Sequence, residues 1–280
     1  LETFLVCILA GVAVGFFAGL FGVGGGIIIV PILNFLFQNM SIDESILFHL
    51  AIGTSLACIF FTSISSLSTH HKKGAVLWKT LGILTPGILL GTYLGSEFAA
   101  RLHSHDLKLV FVFFIILFSG KMFRDSLSGK GSESSVAKNP DTVFSESNLP
   151  GWYFQFPIGL VIGFSSALLG VGGGVFTSSY LILLKVPIQI AIGTSAGIGL
   201  PVAISGTIGF ITTGWQNPAL PEGSLGFVYL PALLGLVIMS LPFAKLGAKF
   251  SHSLPKKNLR ILFASFLFIM GIFMGLEQIL

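Results

Sequence analysis

The chain is 280 residues long, 53% hydrophobic and only 9% charged, with a formal net charge of +4. Soluble domains carry roughly 25% charged residues, so a water-facing globule is excluded and the bilayer becomes the solvent. Most basic residues stand at the ends of apolar stretches, where membrane topology accounts for them, and no nucleic-acid partner is inferred.

In chain order, the first apolar stretch runs from Phe4 to Phe37. No basic segment precedes it and it continues through Gly22-Val23-Gly24-Gly25-Gly26, so it reads as part of the fold rather than as a cleaved leader. Three plain apolar spans follow: Ser45 to Leu67, Thr80 to Ser96 and about Leu107 to Phe123. The chain then turns polar, Ser/Gly-rich and mixed in charge, a composition unable to bury enough apolar area to order itself. A second glycine-interrupted stretch, Phe154 to Leu184, precedes Ile188 to Ile211, Leu225 to Ala244 and about Leu259 to Leu276. Runs of this kind suit a ~30 Å hydrocarbon core. All are expected to be helical, because a barrel needs short alternating strands. Cys7 and Cys58 fall in apolar spans without CxxC spacing and carry no redox message.

Two motifs recur in the same order. Gly22-Val23-Gly24-Gly25-Gly26 returns as Gly170-Val171-Gly172-Gly173-Gly174, and Ala51-Ile52-Gly53-Thr54-Ser55 returns as Ala191-Ile192-Gly193-Thr194-Ser195. The chain is therefore an internal duplication, with a membrane repeat over 1–123, a flexible linker over 124–151 and a second membrane repeat over 152–280.

Charge decides between two topologies. If each glycine-broken stretch crosses the membrane, the 15 Lys and Arg residues divide 8 to 7 between the two sides. If it is a re-entrant-type hairpin, 13 fall on one side and only Arg101 and Lys108 on the other. The positive-inside rule selects the second arrangement. The expected fold is thus an all-α polytopic membrane protein of two inverted repeats, each a glycine-broken hairpin plus three transmembrane helices. The linker is cytoplasmic and both termini are extracytoplasmic.

Inverted repeats with broken helices point to a secondary transporter whose site lies near the midplane between the halves. Gly24, Gly25 and Gly26, with Gly172, Gly173 and Gly174, permit unusual backbone angles, so that a helix starting just after them aims free N–H groups at a ligand. Such an end favours an anion. Close helix packing is the plainer use of the same glycines. Thr54, Ser55, Thr194 and Ser195 add hydroxyls expected to donate to the substrate from both sides, although such residues often bond only their own helix carbonyls. His49 and Gln189 correspond across the repeat, five residues before each Thr. His49, titratable inside a span, is a candidate for a coupling proton, a substrate hydrogen bond or a structural bond.

The remaining histidines form no helical metal pattern, and no buried Ser/His/Asp set or carboxylate pair is visible. No metal, cofactor or catalytic residue is expected. Nucleotide-binding motifs are also missing, which leaves gradients or a partner as the energy source.

The stretch Gly19-Leu20-Phe21-Gly22-Val23-Gly24-Gly25-Gly26 with Val30-Pro31 downstream, and Leu169-Gly170-Val171-Gly172-Gly173-Gly174, are each followed by Ala-Ile-Gly-Thr-Ser. This doubled pattern resembles the sulfite exporter TauE/SafE family of membrane permeases over nearly the whole chain. The resemblance implies transport of sulfite, sulfoacetate or a related organosulfur anion across a prokaryotic inner membrane. Within the duplication, Ser179 stands where Pro31 stands in the first half, and 25 residues separate Gly26 from Ala51 against 17 from Gly174 to Ala191. An asymmetric site is therefore expected. An anion channel and a non-transporting membrane scaffold are the competing readings.

Overall fold

The computed structural model describes residues 2–21, 25–40, 42–127, 149–251 and 256–276. Gly24 and residues 128–148 of the expected linker lie outside the described residues. The first half contains α1 (Glu2–Phe21), α2 (Gly26–Asn39), α3 (Glu44–Lys72), α4 (Trp78–Arg101) and α5 (Ser104–Leu127). The second contains α6 (Trp152–Leu169), α7 (Gly174–Leu183), α8 (Ile188–Thr213), α9 (Leu230–Ser251) and α10 (Lys256–Leu276).

The helix breaks fall where glycine permits them. Gly170 ends α6 in the left-handed conformation at φ 62°, and Gly173 starts α7 at φ 68°. Gly25 starts α2 at φ 78°. A Cβ is disfavoured at each of these angles. By contrast α3 starts on Asp43, whose carboxylate accepts the Ser45 amide at 2.8 Å in the usual manner of an N-cap.

Several boundaries differ from the sequence reading: α3 runs on to Lys72 and α4 to Arg101. α5 continues to Leu127, past the expected start of the linker. Residues 225–229, expected to be helical, instead belong to a small hairpin in which β1 (Ser224–Leu225) pairs antiparallel with β2 (Val228–Tyr229), and α9 begins only at Leu230. Gly223 and Gly226 are the reason: both take positive φ, 86° and 53°, and a Cβ at Gly226 would lie 2.6 Å from Ile211 Cα.

The two halves interlock. α1 packs along α9 of the other half and α6 along α4, while α3 packs on α8 and α5 on α10. Exchanging the halves maps this pairing onto itself. Along α3 and α8, Gly53 faces Phe210, Leu56 faces Gly206, Ser63 faces Gly199 and Leu67 faces Gly197, so these equivalent helices run antiparallel. Along α4 and α6, Gly87, Gly91 and Gly95 meet the backbone of Phe156, Leu160 and Phe164 in turn, so these two run parallel. Gly11 and Gly15 of α1 meet α9 in the same sense, at Gly235 and Ser240. Apolar burial does little to hold helices together in lipid. Close backbone approach at small residues does, and each of these seams is built on glycine.

Three described helices are long and apolar enough to cross a membrane, at Glu44–Lys72, Trp152–Leu169 and Gln189–Thr213. Exposed apolar side chains such as Phe98, Phe113, Leu117 and Ile269 face outward, as lipid-facing surface does. Trp78, Trp152 and Tyr153 stand exposed at the starts of α4 and α6, which lie side by side, where interfacial aromatics belong.

Candidate functional site

The second glycine motif crosses the middle of the α3–α8 pair. A Cβ added at Gly170 would meet Ile52 of α3; at Gly172, Ile59 of α3 at 2.8 Å; and at Gly173, Ile198 and Val202 of α8 at 3.3 and 3.2 Å. Ser55 Oγ donates to the Gly170 carbonyl oxygen at 2.9 Å, fixing one end of the motif. At the other end, the Cβ position of Gly174 is 4.0 Å from Ser195 Oγ, and that hydroxyl donates at 2.9 Å to Ile192 of its own helix. The first motif enters the same region, since a Cβ at Gly26 would lie 2.8 Å from both the Gly170 oxygen and Ile59 Cδ1.

The two helix starts at this crossing differ. Neither α2 nor α7 has a side-chain cap. The α2 start is closed by protein, with Gly25 and Gly26 buried and the Gly170 carbonyl against it. The α7 start is half-open: Gly172, Gly174, Val175 and Phe176 are only partly buried. The amides of a helix's first turn lack intrahelical acceptors. At α7 the first intrahelical bond runs from Thr177 N to Gly173 O, at 2.9 Å. The amides of Gly174, Val175 and Phe176 therefore form a donor set for an anion, with Ser195 beside it.

The structure brings Gly25, Gly26, Gly172, Gly173 and Gly174 to this crossing, sets Ser55 at one end of the second motif and Ser195 at the other, and directs the side chains of His49, Thr54, Gln189 and Thr194 elsewhere. Thr54 Oγ1 accepts the Tyr229 amide at 3.0 Å, and Thr194 Oγ1 accepts the Leu77 amide at 3.0 Å. Gly53, beside Thr54, lies against the Phe227 carbonyl, and Gly193 lies against the Ala75 carbonyl. Each Gly-Thr pair thus grips the non-helical segment that leads into the fourth helix of the other half. Thr54 lies level with Phe210 of α8, and Thr194 is 16 residues from Phe210. At 1.5 Å per residue that is about 24 Å along the helix, so in this structure the two hydroxyls do not meet on one small anion.

His49 is buried, 3% exposed, with Nε2 3.0 Å from the Ala99 carbonyl oxygen at the end of α4 and its ring over Phe227. A carbonyl only accepts, so Nε2 carries the proton and Nδ1 is left as an acceptor without a partner. Its counterpart Gln189 is exposed. Three further polar groups by the glycine crossing escaped the sequence reading. Gly170 supplies the carbonyl that Ser55 holds. Ser63 sits opposite Gly199, and Thr177 Oγ1 is fully buried without a hydrogen-bond partner. The position of Thr177, in the first turn after the glycines, was the available signal.

The family model described as Sulfite exporter TauE/SafE matches residues 7–274, nearly the whole chain. The chain belongs to the sulfite exporter TauE/SafE family. TauE/SafE proteins are membrane transporters and not enzymes. A probable membrane transporter protein of Haemophilus influenzae is 38% identical over 273 residues, covering 98% of each chain. One from Methanocaldococcus jannaschii is 30% identical, covering 95% of this chain and 93% of its own. Another, YunE of Bacillus subtilis, is 27% identical and covers 96% of both. No solved structure matches the chain significantly.

Proposed function

We propose that this TauE/SafE protein is a secondary transporter for a small sulfur-containing anion of the sulfite or sulfoacetate class, bound at the start of α7 and exchanged by alternating access. The observation that carries this reading is the uncapped, half-open helix start at Gly173–Gly174 with Ser195 alongside. Such an end offers several amide donors and no fixed cation, so an oxyanion is held without being trapped. The α2 start, closed by Gly170, makes the site one-sided, in line with the unequal motifs.

The membrane arrangement follows from two supports. Equivalent helices α3 and α8 pack antiparallel, and 13 of 15 basic residues fall on one side in the hairpin arrangement. Together they favour inverted repeats in a prokaryotic inner membrane, with the linker cytoplasmic and both ends of this chain extracytoplasmic. The open Nδ1 of His49, about 9 Å along α3 from Ser55 by helical rise, is where a coupling proton would add.

The test is a thermal-shift series on the purified protein against sulfite, thiosulfate, sulfate, sulfoacetate and matched carboxylates. A ligand that binds only the folded state raises its apparent stability. A saturable shift from a sulfur anion, lost in Gly173→Leu while the variant still folds, is the expected result. Equal shifts from every anion, or none, would remove the proposed site.

A further inference from the structure

The two Gly-Thr grips are equivalent under exchange of the halves, yet they lie on opposite sides of the central glycine crossing. Gly53 and Thr54 hold residues 227–229, the segment between α8 and α9. Gly193 and Thr194 hold residues 75–77, the segment between α3 and α4. Because α3 and α8 run antiparallel, the first grip lies toward the start of α3 and the second toward the start of α8. By helical rise they are separated by about 24 Å, within a hydrocarbon core about 30 Å thick. Gly172, between Ile59 and Gly199, lies between them.

Each grip has one amide-to-hydroxyl bond of 3.0 Å and one glycine backed onto a carbonyl, and the first adds the rings of His49 against Phe227 and Phe37 against Tyr229. The gripped segments are not helical and each joins two spans of one half, so releasing a grip frees a connecting segment from the other half without unwinding a helix. The glycine-lined seams between α4 and α6 and between α1 and α9 are far longer and tie whole helices together. The halves are fastened along whole helices at those seams, whereas the two grips hold only short connecting segments, one toward each end of the α3–α8 pair.

We propose that the two grips are the gates of the transporter: Thr54 with Tyr229 closes the path from the central crossing to one face, and Thr194 with Leu77 closes the path to the other. Both bonds are formed in this structure. Alternating access consists of releasing one grip while the other holds. The proposal rests on the transport reading above, but its test does not depend on which anion is carried.

The experiment places a reporter cysteine at Ser63, buried opposite Gly199, in a Cys7→Ala, Cys58→Ala background. Membrane-impermeant maleimide is then added to one face at a time, in right-side-out and inverted vesicles. Thr54→Val keeps the side-chain shape but removes the acceptor, and it should raise labelling severalfold from the face nearest residues 227–229. Thr194→Val should raise labelling from the opposite face. Thr54→Ser and Thr194→Ser retain the hydroxyl and should label as the parent does, which separates loss of the bond from general damage. Increases from the same face in both valine variants, or no increase in either with the protein folded, would overturn the gates. A lost anion thermal shift with opposite-sided labelling intact would instead remove the binding site and leave the gates standing.

Discussion

Ser55 donates its hydroxyl proton to the carbonyl oxygen of Gly170 at 2.9 Å, joining the middle of α3 in one half to the glycine that ends α6 in the other. Ser195, the repeat equivalent, donates at 2.9 Å within its own helix, to Ile192. One serine is a cross-brace between halves and the other stands beside an open helix start.

That difference predicts opposite phenotypes. Ser55→Ala should lower stability by about 1 kcal/mol, the usual scale for a buried hydrogen bond, with little change in anion affinity. Chemical or thermal unfolding in detergent measures it, and an unchanged midpoint would mean that the brace carries no load.

Ser195→Ala should leave stability near that of the parent, because its bond is local. It should weaken anion binding about tenfold, the loss expected for one hydrogen bond to a charged ligand. Titration of the anion-induced thermal shift reads the change directly.

The glycines divide by what a methyl group would meet. Gly53→Ala and Gly193→Ala would drive a Cβ into the Phe227 and Ala75 carbonyls, and each should cost about 1–3 kcal/mol, as overpacking does. At Gly82 and Gly120 a Cβ meets nothing within 4 Å. There alanine should be neutral or stabilising by up to about 1 kcal/mol through helix propensity. Melting temperatures of the four variants, compared side by side, test the contrast.

Stability should also fall in acid through Asp43. Its hydrogen bonds from the Ser45 side chain and backbone hold the carboxyl below the ordinary aspartate value. A carboxylate with a lowered folded pKa stabilises the native state above its unfolded pKa of about 3.9, and that contribution is lost as pH falls through the folded value. Asp43→Asn should remove this component of the acid profile while retaining a capping side chain. An identical acid profile in the variant would assign the loss to other carboxylates.

The membrane setting, the repeated motifs and the broken helices were legible in the sequence alone. Composition fixes the solvent, and a five-residue motif recurring once per half leaves little room for chance. Gly173 and Gly25 adopt positive φ where their motifs suggested a break, because a run of glycines is the cheapest place for a chain to turn. The hairpin at 224–229 was hidden because Leu225, Phe227 and Val228 are as apolar as the helix that follows.

Tertiary structure alone decided which half each residue serves. Thr54 and Ser55 are neighbours in the chain, but successive residues on a helix point about 100° apart, so one grips Tyr229 and the other holds Gly170. Nothing in a single span states which carbonyl of the opposite half will reach it. In sequence the glycines of the motif, proposed here to face an anion, cannot be told from Gly53 and Gly193, which meet the backbone of connecting segments, because a missing side chain serves equally to admit a ligand or another backbone. Only the packing of α3 against α8 distinguishes the two.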